Sequence, residues 1–464
     1  MSRAWLSCMS ALVLLLACGD DGGDGTCELG TSEGCDEGLV CEAVAGGDPA
    51  CFAPVFVEGR VFDTATDGGI GDARVVALDV NGGARSTVVF SAADGSYRLP
   101  VPAERDAEGN PTSDRVTLRV AAQGYQRFPT APRQALPLEL ADAAMDGETG
   151  DWVLMNAATD VGLVGLPGGA AGLATIEGVV EADDPGGVLV VAVQGEAAVS
   201  TAVTDTDGGF RLHNVPAGTT ALEGYRLGLA VTPETVEVAG APVTGVVLAG
   251  STEGLGAVEG DVNIVDGGGA GETSVILGLE STFDETAARA EVPAGLRVGG
   301  VSGAFSFTDV PPGRYVVLAA FENDGLVRDP DEGIAGTDIV RIEVMAGDTV
   351  SLDTAFKVTG ALATVSPGAD SVETVTAAPT LEWADDSSED GYEVELFDAF
   401  GELVEEAEVP GVSGSATVTH MVGATLEAGM IYQFRARSFR DSPSGDRSYI
   451  SATEDLRGVF LYAP

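Results

Sequence analysis

One phrase recurs three times along this chain of 464 residues, and it constrains the fold more than any other feature. Glu58-Gly59-Arg60-Val61, Glu177-Gly178-Val179-Val180 and Glu259-Gly260-Asp261-Val262 each open a segment. Each is answered further on by a turn and an aromatic: Asp94-Gly95-Ser96-Tyr97-Arg98-Leu99, Asp207-Gly208-Gly209-Phe210-Arg211-Leu212 and Gly303-Ala304-Phe305-Ser306-Phe307. Asp-Gly supplies the positive-φ residues that a tight hairpin needs. The aromatic and the apolar residue two places later share one face of a strand, where they can fill a core. Val215-Pro216 and Val310-Pro311 then close the second and third phrases, because proline cannot donate to a ladder. Between these signals run short alternating segments broken by Gly, Asp and Pro, and no helical period persists beyond a couple of turns. The expected fold class is all-β, as tandem sandwiches.

The three phrases resemble the carboxypeptidase regulatory-like family, whose fold is a seven-stranded prealbumin-like sandwich of the Ig-like kind. The resemblance covers 55–140, 173–250 and 256–358. It is closest in the first copy, through Gly71-Asp72-Ala73-Arg74-Val75-Val76-Ala77-Leu78 and the run from Val116 to Tyr125. Residues 141–172 read as a linker in which Trp152-Val153-Leu154-Met155 adds a strand to the first sandwich. From 360 to 464 the idiom changes to Pro379-Thr380-Leu381-Glu382-Trp383, Tyr392-Glu393-Val394-Glu395-Leu396-Phe397 and Leu426-Glu427-Ala428-Gly429-Met430-Ile431-Tyr432. This resembles a fibronectin type III domain, with a core Trp on an early strand and a Tyr after a Leu-x-x-Gly corner.

The amino terminus reads as an address. Arg3 and the apolar run 11–16 form a signal peptide over 1–17 that is too short to span a bilayer stably. Leu15-Leu16-Ala17-Cys18 resembles the lipobox of bacterial lipoproteins, which implies cleavage before Cys18 and diacylglycerol on its thiol. Two or more acyl chains anchor stably. Residues 18–26 form a Gly/Asp tether, and Gly19 after the lipidated cysteine resembles the outer-membrane sorting pattern. Cys27, Cys35, Cys41 and Cys51 lie within 25 residues, with no cysteine in the 413 that follow. An even, clustered set in an exported chain predicts two disulfides in a 27–51 module. Three pairings are open, and zinc is disfavoured because no close Cys-x-x-Cys pair is present.

Charge narrows the function. Asp and Glu number 73 against 23 Lys and Arg, a formal net charge of −50, and Lys357 is the sole lysine. A polyanion gains nothing from nucleic acid. Two histidines, His213 and His420, are read as surface groups, and neither starts a His-x-x-Glu or belongs to a His-Glu-x-x-His motif. No Gly-x-Ser-x-Gly elbow occurs. The chain is therefore read as no enzyme, and its aromatics as core. The acidic loop with Asp324, Asp329, Asp331 and Glu332 offers hard oxygens suited to Ca²⁺, though not in EF-hand order. No other cofactor is implied. The expectation is a lipid-anchored outer-membrane scaffold, periplasmic or surface-facing, for adhesion or contact with a protein partner. The alternative is a carbohydrate-binding accessory that captures polysaccharide. Like-charged modules should repel, so the string is expected to extend at low salt.

Overall fold

The computed structural model describes residues 27, 29–285, 290–321, 323–386, 388–412 and 414–464. The signal peptide, Cys18 and the tether lie outside the described residues. Those described form 37 strands and two single-turn 3-10 helices.

The repeated phrase has a direct structural meaning. In every copy the glycine of Glu-Gly stands opposite the aromatic of the answering phrase on the neighbouring antiparallel strand: Gly59 opposite Tyr97, Gly178 opposite Phe210, Gly260 opposite Phe305. A Cβ at Gly178 would come within 2.6 Å of the Phe210 ring, and one at Gly260 within 2.7 Å of the Phe305 ring. The missing side chain is the space that the ring fills. The preceding glutamates face Arg98 and Arg211 in the first two copies, which gives cross-strand ion pairs. Gly95 and Gly208 take φ of 86° and 80°, as their hairpin turns require.

Each unit is built from antiparallel neighbours with a returning parallel strand. In the first, Val55–Asp63 pairs with Ser96–Val101 on one side, and with Trp152–Leu154 and Val161–Leu163 in parallel on the other. Its second sheet runs Val89–Phe90, Arg74–Leu78, Arg115–Ala121, Leu138–Glu139. The segment read as a linker therefore carries two strands that pair with Val55–Asp63. Beyond them Gln126 N donates to Val164 O, and Leu166 N to Gly124 O.

In the second unit Leu173–Glu181 lies between Gly209–Pro216 and Val243–Ser251, and the sheet continues to Leu189–Gln194. In the third, Gly256–Ile264 pairs with Ala304–Val310 and Phe356–Gly360, facing a sheet ordered Arg297–Val301, Thr273–Leu279, Gly313–Ala319, Val340–Val344. The carboxyl-terminal unit packs a three-stranded sheet around Thr380–Ala384 on a six-stranded sheet around Ile431–Asp441. Trp383, Tyr392 and Phe434 are fully buried between the two. Glu427 N donates to Tyr432 Oη at 2.7 Å, which pins the chain corner before that strand.

Several strands are buried on both faces. In Arg74–Leu78 every residue is buried: Val75 and Ala77 face the first unit's own core, while Val76 and Leu78 join a second cluster. Val190 and Ala192 likewise face inward in the second unit, and Leu189, Val191 and Val193 face outward into that second cluster. The cluster is continuous with the third unit's core of Val258, Phe305, Tyr315 and Phe356. The outer faces of two sandwiches are thus dry contact surfaces, not solvated ones. The expected string of separate, repelling modules is corrected here: burial of these aliphatic faces, at about 25 cal/mol per Å², outweighs repulsion between exposed carboxylates screened by water and salt.

Candidate functional site: arginine-bridged seams and the clefts they frame

A few arginines, scarce in this acidic chain, stand at the seams. Arg74, on the outer face of the first unit, donates from Nη1 to Val203 O (3.0 Å) and from Nη2 to Gly209 O (2.9 Å) of the second, with Asp205 3.7 Å away. Arg119 donates to Thr201 Oγ1 of the second unit at 3.0 Å and to Glu291 Oε2 of the third at 3.3 Å. Arg127 pairs with the other oxygen of Glu291. Burial pushes Arg74 and Arg119 down to about 10, and Arg127 well below the usual arginine range. Delocalised, weakly hydrated guanidinium is the cation best suited to such seams, which agrees with the near absence of lysine.

Polar contacts complete the joints. Asn214, with φ of 61°, accepts from Gly124 N at 2.6 Å and donates to Tyr125 O at 2.9 Å. Tyr225 and Tyr315 meet edge to face across the second and third units, 6.1 Å between centroids. The carboxyl-terminal unit is tied to the first by Gln126 Nε2 to Ala399 O and by Thr64 Oγ1 to Gly429 O, each 2.7 Å. It is tied to the third by Gly325 N to Glu454 Oε1 at 2.7 Å and Ser451 Oγ to Gly360 O at 2.6 Å.

The cysteine module is docked in the same manner. The structure pairs Cys27 with Cys41 and Cys35 with Cys51. Sulfurs of Cys27, Cys35 and Cys51 lie within 4.8 Å of one another, but all are consumed in these bonds. Glu42, between the two bridges, forms a fully buried ion pair with Arg105 and accepts from Ala103 N at 3.0 Å. Arg105 also donates to Ala53 O at 2.7 Å. Burial raises Glu42 above the usual carboxylate range in spite of Arg105 and the Ala103 amide.

The acidic loop does not gather its oxygens. Asp324 accepts from Thr273 Oγ1 (2.7 Å) and Leu326 N (3.0 Å). Asp329 is buried, pairs with Lys357 Nζ at 2.5 Å and accepts from Asp331 N at 2.9 Å. Asp329, Asp331 and Glu332 line one 590 Å³ cleft between this loop and the carboxyl-terminal sheet, but with Arg328, Arg435 and Arg437 among them, and Asp324 is not part of it. Among the described residues no three carboxylates bring oxygens within 4.8 Å of one another. The chain's sole lysine occupies the position that a cation at Asp329 would need.

The histidines differ from each other. His213 is buried, with neither ring nitrogen hydrogen-bonded. The surface reading is corrected: the strand face opposite Phe210 and Leu212 is covered by the first unit, so alternation does not bring the imidazole to water. Burial, with Arg211 and Arg74 adding to it, pushes His213 down to about 4. His420 Nε2 lies 2.6 Å from Glu405 Oε1, and that carboxylate also accepts from Gly423 N and Ala424 N. Burial favours the neutral acid in Glu405, yet His420 and the two amides prevail and hold it below its usual range.

The seams left no motif to read. Their one sequence signal is the apolar run without alternation, as in Arg74-Val75-Val76-Ala77-Leu78 and Val188-Leu189-Val190-Val191-Ala192-Val193, the pattern of strands covered on both faces.

No protein-family profile matches the sequence, and no curated protein does. Among solved structures, similarity is found to the Bacillus anthracis TIE protein at 12% identity, over 88% of this chain and 72% of that one, with a TM-score of 0.16. A Streptococcal ancillary pilin matches at 12% identity over 65% of this chain and 98% of its own, TM-score 0.18. The major pilin subunit BcpA of Bacillus cereus matches at 13% identity over 66% and 99%, TM-score 0.17. With overlays this low, the all-β fold is argued from the chain's own sheets.

Proposed function

We propose that this protein is a non-catalytic envelope scaffold, lipid-anchored through Cys18 in the outer membrane, that presents a rigid block of β-sandwiches for adhesion or protein–protein contact. One observation carries this reading: buried arginines and dry sheet faces join the units, so their end loops are held in fixed relative positions. A rigid frame with variable loops suits recognition. The ionisable groups also favour it, since His213 is sealed and His420 is taken up by Glu405. The lipobox-like run Leu15-Leu16-Ala17-Cys18 supports the anchor, and the corner at Tyr432 supports reading 360–464 as fibronectin type III-like.

Metabolic labelling with an alkyne fatty acid tests the anchor. The chain should label and its Cys18→Ser variant should not; label retained in the variant contradicts it. Cross-linking in intact cells, followed by pull-down, tests the scaffold role. A recurrent envelope protein supports that role, whereas turnover by the purified chain across a hydrolase panel contradicts it.

A further inference from the structure

Where the first unit meets the carboxyl-terminal unit, a groove of 510 Å³ opens. Its apolar wall comes from Phe62, Phe128 and Leu136 on one side and Val372, Ile431 and Leu461 on the other, with polar groups such as Gln134 and Asn323 between them. Leu136 is 58% exposed and Val372 43%, so the lip offers unpaired hydrocarbon to solvent. A volume of this size at a domain junction is ordinary for a small-molecule site.

Arg133 is set in the groove wall. Its guanidinium lies 4.5 Å over the Phe128 ring, and Nη1 donates to Gly162 O at 2.7 Å. Among the described residues no carboxylate forms an ion pair with it, in a chain with three acids for every base. Two acids also line the groove: Asp160 accepts from Arg60 N at 2.9 Å, and Asp370, almost fully exposed, lies 3.4 Å from Arg457. Burial alone lowers Arg133 to about 10, with no neighbouring charge opposing the shift. Most cations at this protein's seams are matched to a carboxylate. This one faces hydrocarbon, with donors left over.

We infer that the groove binds an amphipathic carboxylate of the fatty-acid class, its chain along Phe62, Leu136 and Leu461 and its head group on Arg133. A carboxylate can take two parallel N–H donors from a guanidinium, and a charge-assisted bond in an apolar wall is stronger than a neutral one. An uncharged chain of equal length gains only the apolar contact. A cationic one meets Arg133 with like charge.

Calorimetric titration of the full chain with dodecanoate, dodecanol and dodecyltrimethylammonium, each below its micelle concentration, tests this. Dodecanoate should bind about tenfold or more tightly than dodecanol, the counterpart of a 1.4 kcal/mol difference, and the ammonium should not bind. Arg133→Gln should abolish the preference. Leu136→Glu, at an exposed lip position that leaves the fold intact, should weaken dodecanoate at least as much. Equal affinity for dodecanoate and dodecanol, tighter binding of the ammonium, or no binding of dodecanoate overturns the inference, and these comparisons need no variant. The outcome does not depend on whether the chain is a scaffold.

Discussion

Arg119 of the first sandwich and Glu291 of the third, 172 residues apart in sequence, meet at 3.3 Å in a seam where both side chains are largely buried. Arg127 takes the other carboxylate oxygen, so one acid bridges two guanidiniums. In a chain of net charge −50 the scarce resource is positive charge, and part of it is placed where modules join.

Glu291→Gln should therefore cost about 3–5 kcal/mol, the penalty for stranding a buried ion. Denaturant unfolding measures it. Replacing an exposed acid such as Asp207, by contrast, should stay within about 0.5 kcal/mol.

His213 predicts an acid-side stability loss with a definite sign. Its folded value of about 4 lies below the 6.5 of a free imidazole, so between those pH values the unfolded chain binds more protons. Its contribution is complete above 6.5, declines as pH falls to 4, and amounts to about 3 kcal/mol at 1.36 kcal/mol per unit. His213→Gln should flatten the profile in that window; an unchanged slope would show that carboxylates alone set it.

Reductant should destabilise more than the cysteine module. Bridges closing separations of 14 and 16 residues are each worth about 3 kcal/mol. Their loss frees Glu42, which leaves Arg105 buried without its partner. Thermal melts with dithiothreitol should lower the transition of the first sandwich as well, and Glu42→Gln should reproduce part of that shift.

Calcium should leave the melting curve where it is. Asp329 already holds Lys357, and Asp324 is hydrogen-bonded to Thr273. Curves in millimolar calcium and in chelator should superimpose; a stabilising shift would show that the loop rearranges to bind.

The interior of each sandwich was legible because it is written locally. Opposed pairs such as Gly178 and Phe210 belong to phrases whose turn glycine, aromatic and following leucine reveal strand, face and end within six residues. The cores around Trp383 and Tyr392 were legible for the same reason. The seams were not. The unalternated run through Val76 and Leu78 signals a strand covered on both faces, but nothing in it says which unit lies beyond. Arg119 looks like a solvated strand residue until Thr201 and Glu291 are placed beside it by contacts 82 and 172 residues away. His213 was misread on the same ground, since exposure was inferred from alternation within one sheet. Of the three cysteine pairings, the hairpin that sets Cys41 opposite Cys51 on neighbouring strands accompanies the one that joins Cys27 to Cys41 and Cys35 to Cys51, a choice made by the folded module and not by spacing.

Small-angle scattering at low and moderate salt tests most directly whether the seams make one body. Residues 27–464 as a single packed unit should give a radius of gyration of about 22 Å by the usual scaling, unchanged as salt is lowered. A substantially larger radius that grows at low salt would mean separate, mutually repelling modules, and would contradict the arginine-bridged assembly described above.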